Sequence, residues 1–125
     1  MHRVLLVDDD PSVSTLDRLE LEDDGFEVRT AANFTDATRI AKLWKPQCAI
    51  IDIKLGQESG PGLLRQLLEL QPSMRTILLS AYPGYQDDFN TWLADAFVTK
   101  MSDTTELRQA VRQLLAGQVR TLGTQ

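Results

Sequence analysis

Short apolar, β-prone runs alternate along the chain with longer stretches in which apolar residues recur at helical spacing. That alternation predicts an α/β fold, a doubly wound parallel sheet with helices on both faces, since only strands covered on both sides can be apolar throughout. Five strands are expected, at Arg3–Asp8, Glu27–Ala31, Cys48–Asp52, Arg75–Ser80 and Asp95–Thr99. The first, third and fourth are continuously apolar and belong in the middle of the sheet. Five helices are expected between and after them. Ala37, Ile40, Ala41 and Trp44 mark the second, Leu63, Leu64, Leu67 and Leu68 the third, and Leu107, Ala110, Val111, Leu114 and Leu115 the last. The first, Pro11 to Asp24, carries a looser stripe through Val13, Leu16 and Leu19 and stops at Gly25. Cap signals stand at Asp10 before Pro11, at Asn33 with Asp36, and at Asp103 with Glu106. Trp44 and Trp92 read as packing residues.

Composition narrows the class. A chain of 125 residues is one domain, long enough to bury a core without staples. Its single cysteine, Cys48, falls inside the apolar run "CAIID", which reads as a buried thiol and excludes a disulfide-built fold. "MHRVLL" enters the first strand at once, so no targeting peptide is expected, no run reaches membrane-spanning length, and a cytoplasmic location follows. Thirteen basic residues face eighteen acidic ones without a basic cluster, which argues against direct nucleic-acid binding. His2 has no evident partner and is assigned no role.

The exit of the first strand is heavily charged: "RVLLVDDDPS" runs from four apolar residues into three carboxylates. Asp10 suits a helix cap, but Asp8 and Asp9 repel each other unless a cation lies between them. In a doubly wound sheet, ligands collect outside the carboxyl ends of the strands. Asp8 and Asp9 follow the first strand, Asp52 closes the third, Ser80 the fourth, and Lys100 lies just past the fifth. Each alone reads as an ordinary polar residue at a loop; their convergence from four segments points to a site.

With "VLLVDDDP", "AIIDIKLGQESG", "ILLSAY" and "DAFVTK" in this order, the chain resembles the receiver domains of bacterial two-component response regulators over essentially its whole length. The resemblance implies a flavodoxin-like sheet of strand order 2-1-3-4-5. It implies that Asp52 takes a phosphoryl group from a histidine kinase or phosphotransfer protein, that Asp8 and Asp9 hold a divalent cation, and that Ser80 and Lys100 contact the phosphoryl oxygens. Phe97 matches the aromatic switch position. Magnesium suits three carboxylates at one rim. Its direct ligands would be Asp9, Asp52 and the Lys54 backbone carbonyl, with Asp8 acting through water. Lys54 and Tyr82, two residues after the acceptor and after the hydroxyl residue, would flank the path of hydrolytic water and make the phosphorylated form long-lived.

Three departures from the family pattern carry expectations. Met101 replaces the proline usual after the lysine, so the Lys100–Met101 bond is either trans or strained. Gly56 replaces a proline and should loosen the loop to Gly60. The segment between Tyr82 and Trp92 is about two residues short, making the fourth helix short or irregular. The resemblance places phosphorylation readout on the face of the fourth helix, fifth strand and fifth helix, a possible homodimer surface. Residues 1–118 read as the receiver and 119–125 as a tail or the start of a linker to an output domain absent from this chain. The chain then reads as a signalling phosphoacceptor that assists its own aspartyl chemistry rather than as an enzyme. A degenerate receiver, binding partners independently of phosphorylation, is the alternative. An aspartyl phosphohydrolase is disfavoured because position 54, where a second acid would be wanted, is Lys.

Overall fold

Val4 to Val7 are completely buried, and the strand they build, β1 (Arg3–Val7), is central because both of its faces are apolar. The computed structural model describes residues 2–55, 58–81, 93–100 and 103–124. After β1 come α1 (Pro11–Asp23), β2 (Glu27–Ala31), α2 (Phe34–Trp44), β3 (Cys48–Asp52), β4 (Lys54–Leu55), β5 (Glu58–Ser59), α3 (Gly60–Leu70), β6 (Arg75–Ser80), β7 (Ala96–Thr99) and α4 (Thr105–Thr124). The five longer strands form one sheet of order β2-β1-β3-β6-β7, every pair parallel. Counted among themselves they run 2-1-3-4-5, the order expected. Two apolar layers cover the sheet: Leu5, Ile51 and Leu78 meet α2 and α3 on one face, while Leu6, Ile50 and Ile77 meet Leu21 of α1 and Val111 of α4 on the other.

Sequence and structure differ at several places. β1 ends at Val7 rather than Asp8, although the Asp8 amide still donates to Ala31 O at 3.0 Å. β7 starts at Ala96, because the Asp95 carboxylate turns back to accept from the Thr76 amide at 2.8 Å. The stripe Val13, Leu16 and Leu19 is not the buried face of α1. Leu16 and Leu19 are exposed and Ser14, Asp17 and Leu21 point inward. These three share one face at i, i+3 and i+7, so α1 turns polar groups toward the sheet. The β4–β5 hairpin is two residues a side, too short to register as a strand pattern. The expected fourth helix, Trp92, and the effects of Gly56 and Met101 lie outside the described residues. The last expected helix is α4, which continues through position 119 to Thr124.

The predicted caps form where polar side chains meet free amides. Asp10 accepts from Ser12 and Val13 at 2.9 and 3.4 Å, and Asn33 from the Asp36 amide at 2.9 Å. Asp103 caps one residue earlier than expected, accepting from the amide and hydroxyl of Thr105 rather than from Glu106. Gly25, at φ +96°, takes the left-handed conformation that ends α1. Asp24, just before it, accepts a two-pronged bond from Arg108 at 2.9 and 2.7 Å and a third from Arg112 at 2.8 Å, tying α1 to α4. Trp44 is core, as expected, with Arg29 stacked 4.7 Å from its ring centre. Cys48 is fully buried, its thiol pushed up to about 12 by burial and then by the charge of Asp95.

Candidate functional site

The carboxyl edge of the sheet brings the predicted groups together. Asp52 ends β3 opposite Leu79 of β6, one residue before Ser80. Ser80 pairs with Thr99 of β7, and the Lys100 amide donates to Ser80 O at 2.6 Å, so the chain leaving β7 is held against the end of β6. From there the Lys100 ammonium reaches back across the rim. It donates to Asp52 Oδ2 at 2.8 Å and pairs with Asp8 Oδ2 at 3.0 Å.

Asp8 and Asp52 are buried, at 2% and 6% exposure, whereas Asp9 is open to solvent. One oxygen from each lies within 4.8 Å of the others. Their second bonds fix them: Asp8 Oδ1 accepts from the Asp10 amide at 2.9 Å, and Asp52 Oδ1 from the Lys54 amide at 3.2 Å. Asp8 Oδ2 is buried and meets Lys100 only as an ion pair, without hydrogen-bond geometry. A buried, under-bonded carboxylate oxygen facing two further carboxylates fits a hard cation.

The electrostatics agree with a reactive rim. Burial raises the Asp52 carboxyl above the usual carboxylate range, with the hydrogen bond and charge of Lys100 pulling the other way and the charge of Asp8 adding to the rise. For Lys100 burial is the largest influence and lowers it, but the combined pull of Asp52 and Asp8 prevails and holds the ammonium above its ordinary value. The Lys100 ammonium thus sits against the carboxylate oxygen Oδ2 of Asp52, while Oδ1 is held by the Lys54 amide.

Gly60 permits this arrangement. A β-carbon there would run into the Asp52 carbonyl oxygen and approach Ile53 Cα to 2.7 Å. The start of α3 packs directly on the backbone that presents the acceptor, and the Gly60 amide donates to Ile53 O at 2.9 Å. Ser80 is buried at the end of β6, one residue past the position that pairs with Asp52. Phe97 is half-buried and packs against the core that α2 and α3 cover. Lys54 is exposed at the rim, while Tyr82 lies outside the described residues.

Asp17 was missed. It is 5% exposed on the inner face of α1, where a helical reading looks only for apolar residues, and its one signal is i+3 spacing from Ser14. Burial, then the charge of Asp8, raises its carboxyl from 3.8 to about 6, against a lowering by Lys100. Ionised Asp17 therefore strains the fold above pH 6 and ceases to do so as pH falls toward 3.8. Asp17→Asn should stabilise the metal-free protein by roughly 2 kcal/mol at pH 7.5 and by nothing measurable near pH 3.8, read from urea unfolding at both.

A five-stranded doubly wound sheet with an acid triad, a lysine and a hydroxyl at its carboxyl rim defines a class of phosphoryl- and cation-binding signalling domain. The chain belongs to the response regulator receiver domain family, whose model matches residues 4–112. Among curated relatives it is 31% identical to the transcriptional regulatory protein GlrR of Escherichia coli (strain K12), over 90% of this chain and 26% of that protein. It is 32% identical to the response regulator GacA of Pseudomonas aeruginosa, over 94% of this chain and 57% of that one. It thus spans only part of the relatives it matches. Among solved structures it is similar to the Thermotoga maritima response regulator TrrA in complex with Mg(2+)-BeF, with 32% identity, a TM-score of 0.86, and 91% and 99% of the two chains covered. TrrA has also been solved with the histidine kinase ThkA, matching at 33% identity and a TM-score of 0.85 over 92% and 99% of the chains. A response regulator from Burkholderia pseudomallei with a phosphorylated aspartic acid and a calcium ion matches at 26% identity and a TM-score of 0.79, over 99% and 74%. Among the described residues no helix is long and apolar enough to cross a membrane.

Proposed function

We propose that this domain receives a phosphoryl group on Asp52 from a histidine kinase or phosphotransfer protein, as the receiver of a two-component system. The observation that carries the reading is the Lys100 ammonium joining Asp52 and Asp8 at 2.8 and 3.0 Å beside a third carboxylate. An Asp52 oxygen attacks phosphorus as the P–N bond to the donor histidine breaks; the acyl phosphate forms on Asp52, the P–N electron pair stays on the released imidazole, and that nitrogen takes its proton from solvent. Lys100 follows the phosphoryl oxygens, the Ser80 hydroxyl donates to one of them, and the Lys54 amide steadies the acceptor. Asp9, Asp52 and the Lys54 carbonyl, with Asp8 through water, would hold Mg2+, which when bound supplies positive charge at the equatorial oxygens.

The inward draw on Ser80 frees space that Phe97 fills, which changes the surface read by partners. A homodimer, or an output domain outside this chain, is the natural reader of that change, in the cytoplasm. The domain is the receiving substrate of a signalling reaction rather than an enzyme acting on others. Lys54 at the rim hinders in-line water, a part the resemblance also gives to Tyr82, and decay of the phosphorylated protein after donor removal should quicken about tenfold in Lys54→Asn/Tyr82→Glu.

The test is labelling with acetyl phosphate followed by intact mass measurement. The wild-type protein should gain one phosphoryl group only when magnesium is present. Asp9→Asn should keep its fold yet lose most labelling at low millimolar magnesium. Metal-independent labelling, or none under any condition, contradicts the reading; the second result would leave a phosphorylation-independent binding module.

A further inference from the structure

Lys100 occupies the two buried carboxylates that a cation at the acid triad needs. It sits 3.0 Å from Asp8 Oδ2 and 2.8 Å from Asp52 Oδ2. A dication entering among Asp8, Asp9 and Asp52 repels the ammonium and draws those oxygens toward itself. The ammonium, only 22% exposed, then needs another partner, for a buried cation without one is costly.

Lys100 lines a small cavity of about 10 Å³ with Asp17, Leu79, Val98, Thr99, Asp103, Thr104 and Leu107. Two carboxylates face that space. Asp103 is exposed and already engaged by the amide and hydroxyl of Thr105, at 2.9 and 2.6 Å. Asp17 is buried and accepts no hydrogen bond among the described residues. It stands on a helix face otherwise turned to an apolar layer that includes Leu79, Val98 and Leu107.

We propose that Asp17 is a positioning residue, the carboxylate that takes Lys100 when a divalent cation enters the rim. This rests on the cation-binding reading above. Asp17 does not touch the reacting atoms; it acts by giving the displaced ammonium a place beside the site, from which Lys100 returns to the phosphoryl oxygens as they arrive. The cost of keeping an acid buried there is consistent with such a task, since its carboxyl is raised by burial and by Asp8 and drawn down by Lys100.

The test is Mg2+ binding, measured by calorimetry on the unphosphorylated domain at pH 7.5, in a double-mutant cycle. Asp17→Asn should weaken Mg2+ about fivefold when Lys100 is present, and less than about twofold in a Lys100→Met background, where no ammonium needs rehousing. Asp17→Leu, which fills the space with a side chain matched to its neighbours, should repeat the result and guards against a local fault of the amide. Equal weakening in both backgrounds would mean that Asp17 acts only through its charge at a distance, and unchanged binding would mean that it does not act; either overturns the proposal. Failure of the wild-type protein to bind Mg2+, or undiminished binding by Asp9→Asn, would instead overturn the cation site itself.

Discussion

Asp52→Asn should abolish phosphoryl uptake and, without metal, raise the thermal midpoint at neutral pH. The loss follows because an amide oxygen does not displace a leaving group at phosphorus as a carboxylate does. The gain follows from electrostatics: burial first, and then the charge of Asp8, lifts the Asp52 carboxyl in the folded protein despite the pull of Lys100. A carboxyl raised by folding weakens the folded state once pH rises through its folded value and has no such effect well below its unfolded value. The midpoint difference between Asp52→Asn and wild type should therefore be positive at pH 7.5 and shrink as pH falls below the ordinary carboxylate range. Paired scans at pH 7.5 and pH 3.5 measure it. Lost labelling with lowered stability at pH 7.5 would mean that the substitution merely damages the fold.

Gly60→Ala has the largest expected cost to stability. The added β-carbon meets the Asp52 carbonyl oxygen and Ile53 Cα, both backbone atoms held by the sheet, so no flexible side chain can yield. Overpacking of this kind costs about 1–3 kcal/mol, and a backbone clash belongs at the upper end. Relief requires α3 to shift away from β3, which moves the Asp52 backbone and weakens the Lys54 amide bond to its carboxylate. Gly60→Ala should lower unfolding free energy by about 3 kcal/mol in urea and slow labelling at temperatures where it remains folded. Gly62→Ala is the control: its β-carbon would come no nearer than 3.7 Å to Ser59, so it should be close to neutral.

The fold was legible because its central strands are apolar on both faces and its helices mostly carry a clean stripe. Val4–Val7 and Cys48–Ile51 are fully buried where the sequence placed them. The site was legible because loop-end chemistry is local: Asp8, Asp9, Asp52, Ser80 and Lys100 each abut a readable strand, and parallel pairing brings those ends together. What escaped depends on packing between elements. The inner face of α1 holds Ser14 and Asp17 while Leu16 and Leu19 face outward, a reversal that spacing within the helix does not reveal. The ammonium's choice of Asp8 as well as Asp52, and the clash that reserves position 60 for glycine, likewise depend on distances between segments.

The central claim, that Asp52 is the acceptor, is tested most directly by chemical trapping. Borohydride reduces an aspartyl acyl phosphate to homoserine, so the domain is treated with acetyl phosphate and magnesium, reduced, digested and mapped by mass. The account predicts homoserine at position 52 and nowhere else, dependent on magnesium. Homoserine at Asp8, Asp9 or any other acid, with Asp52 intact, would contradict it.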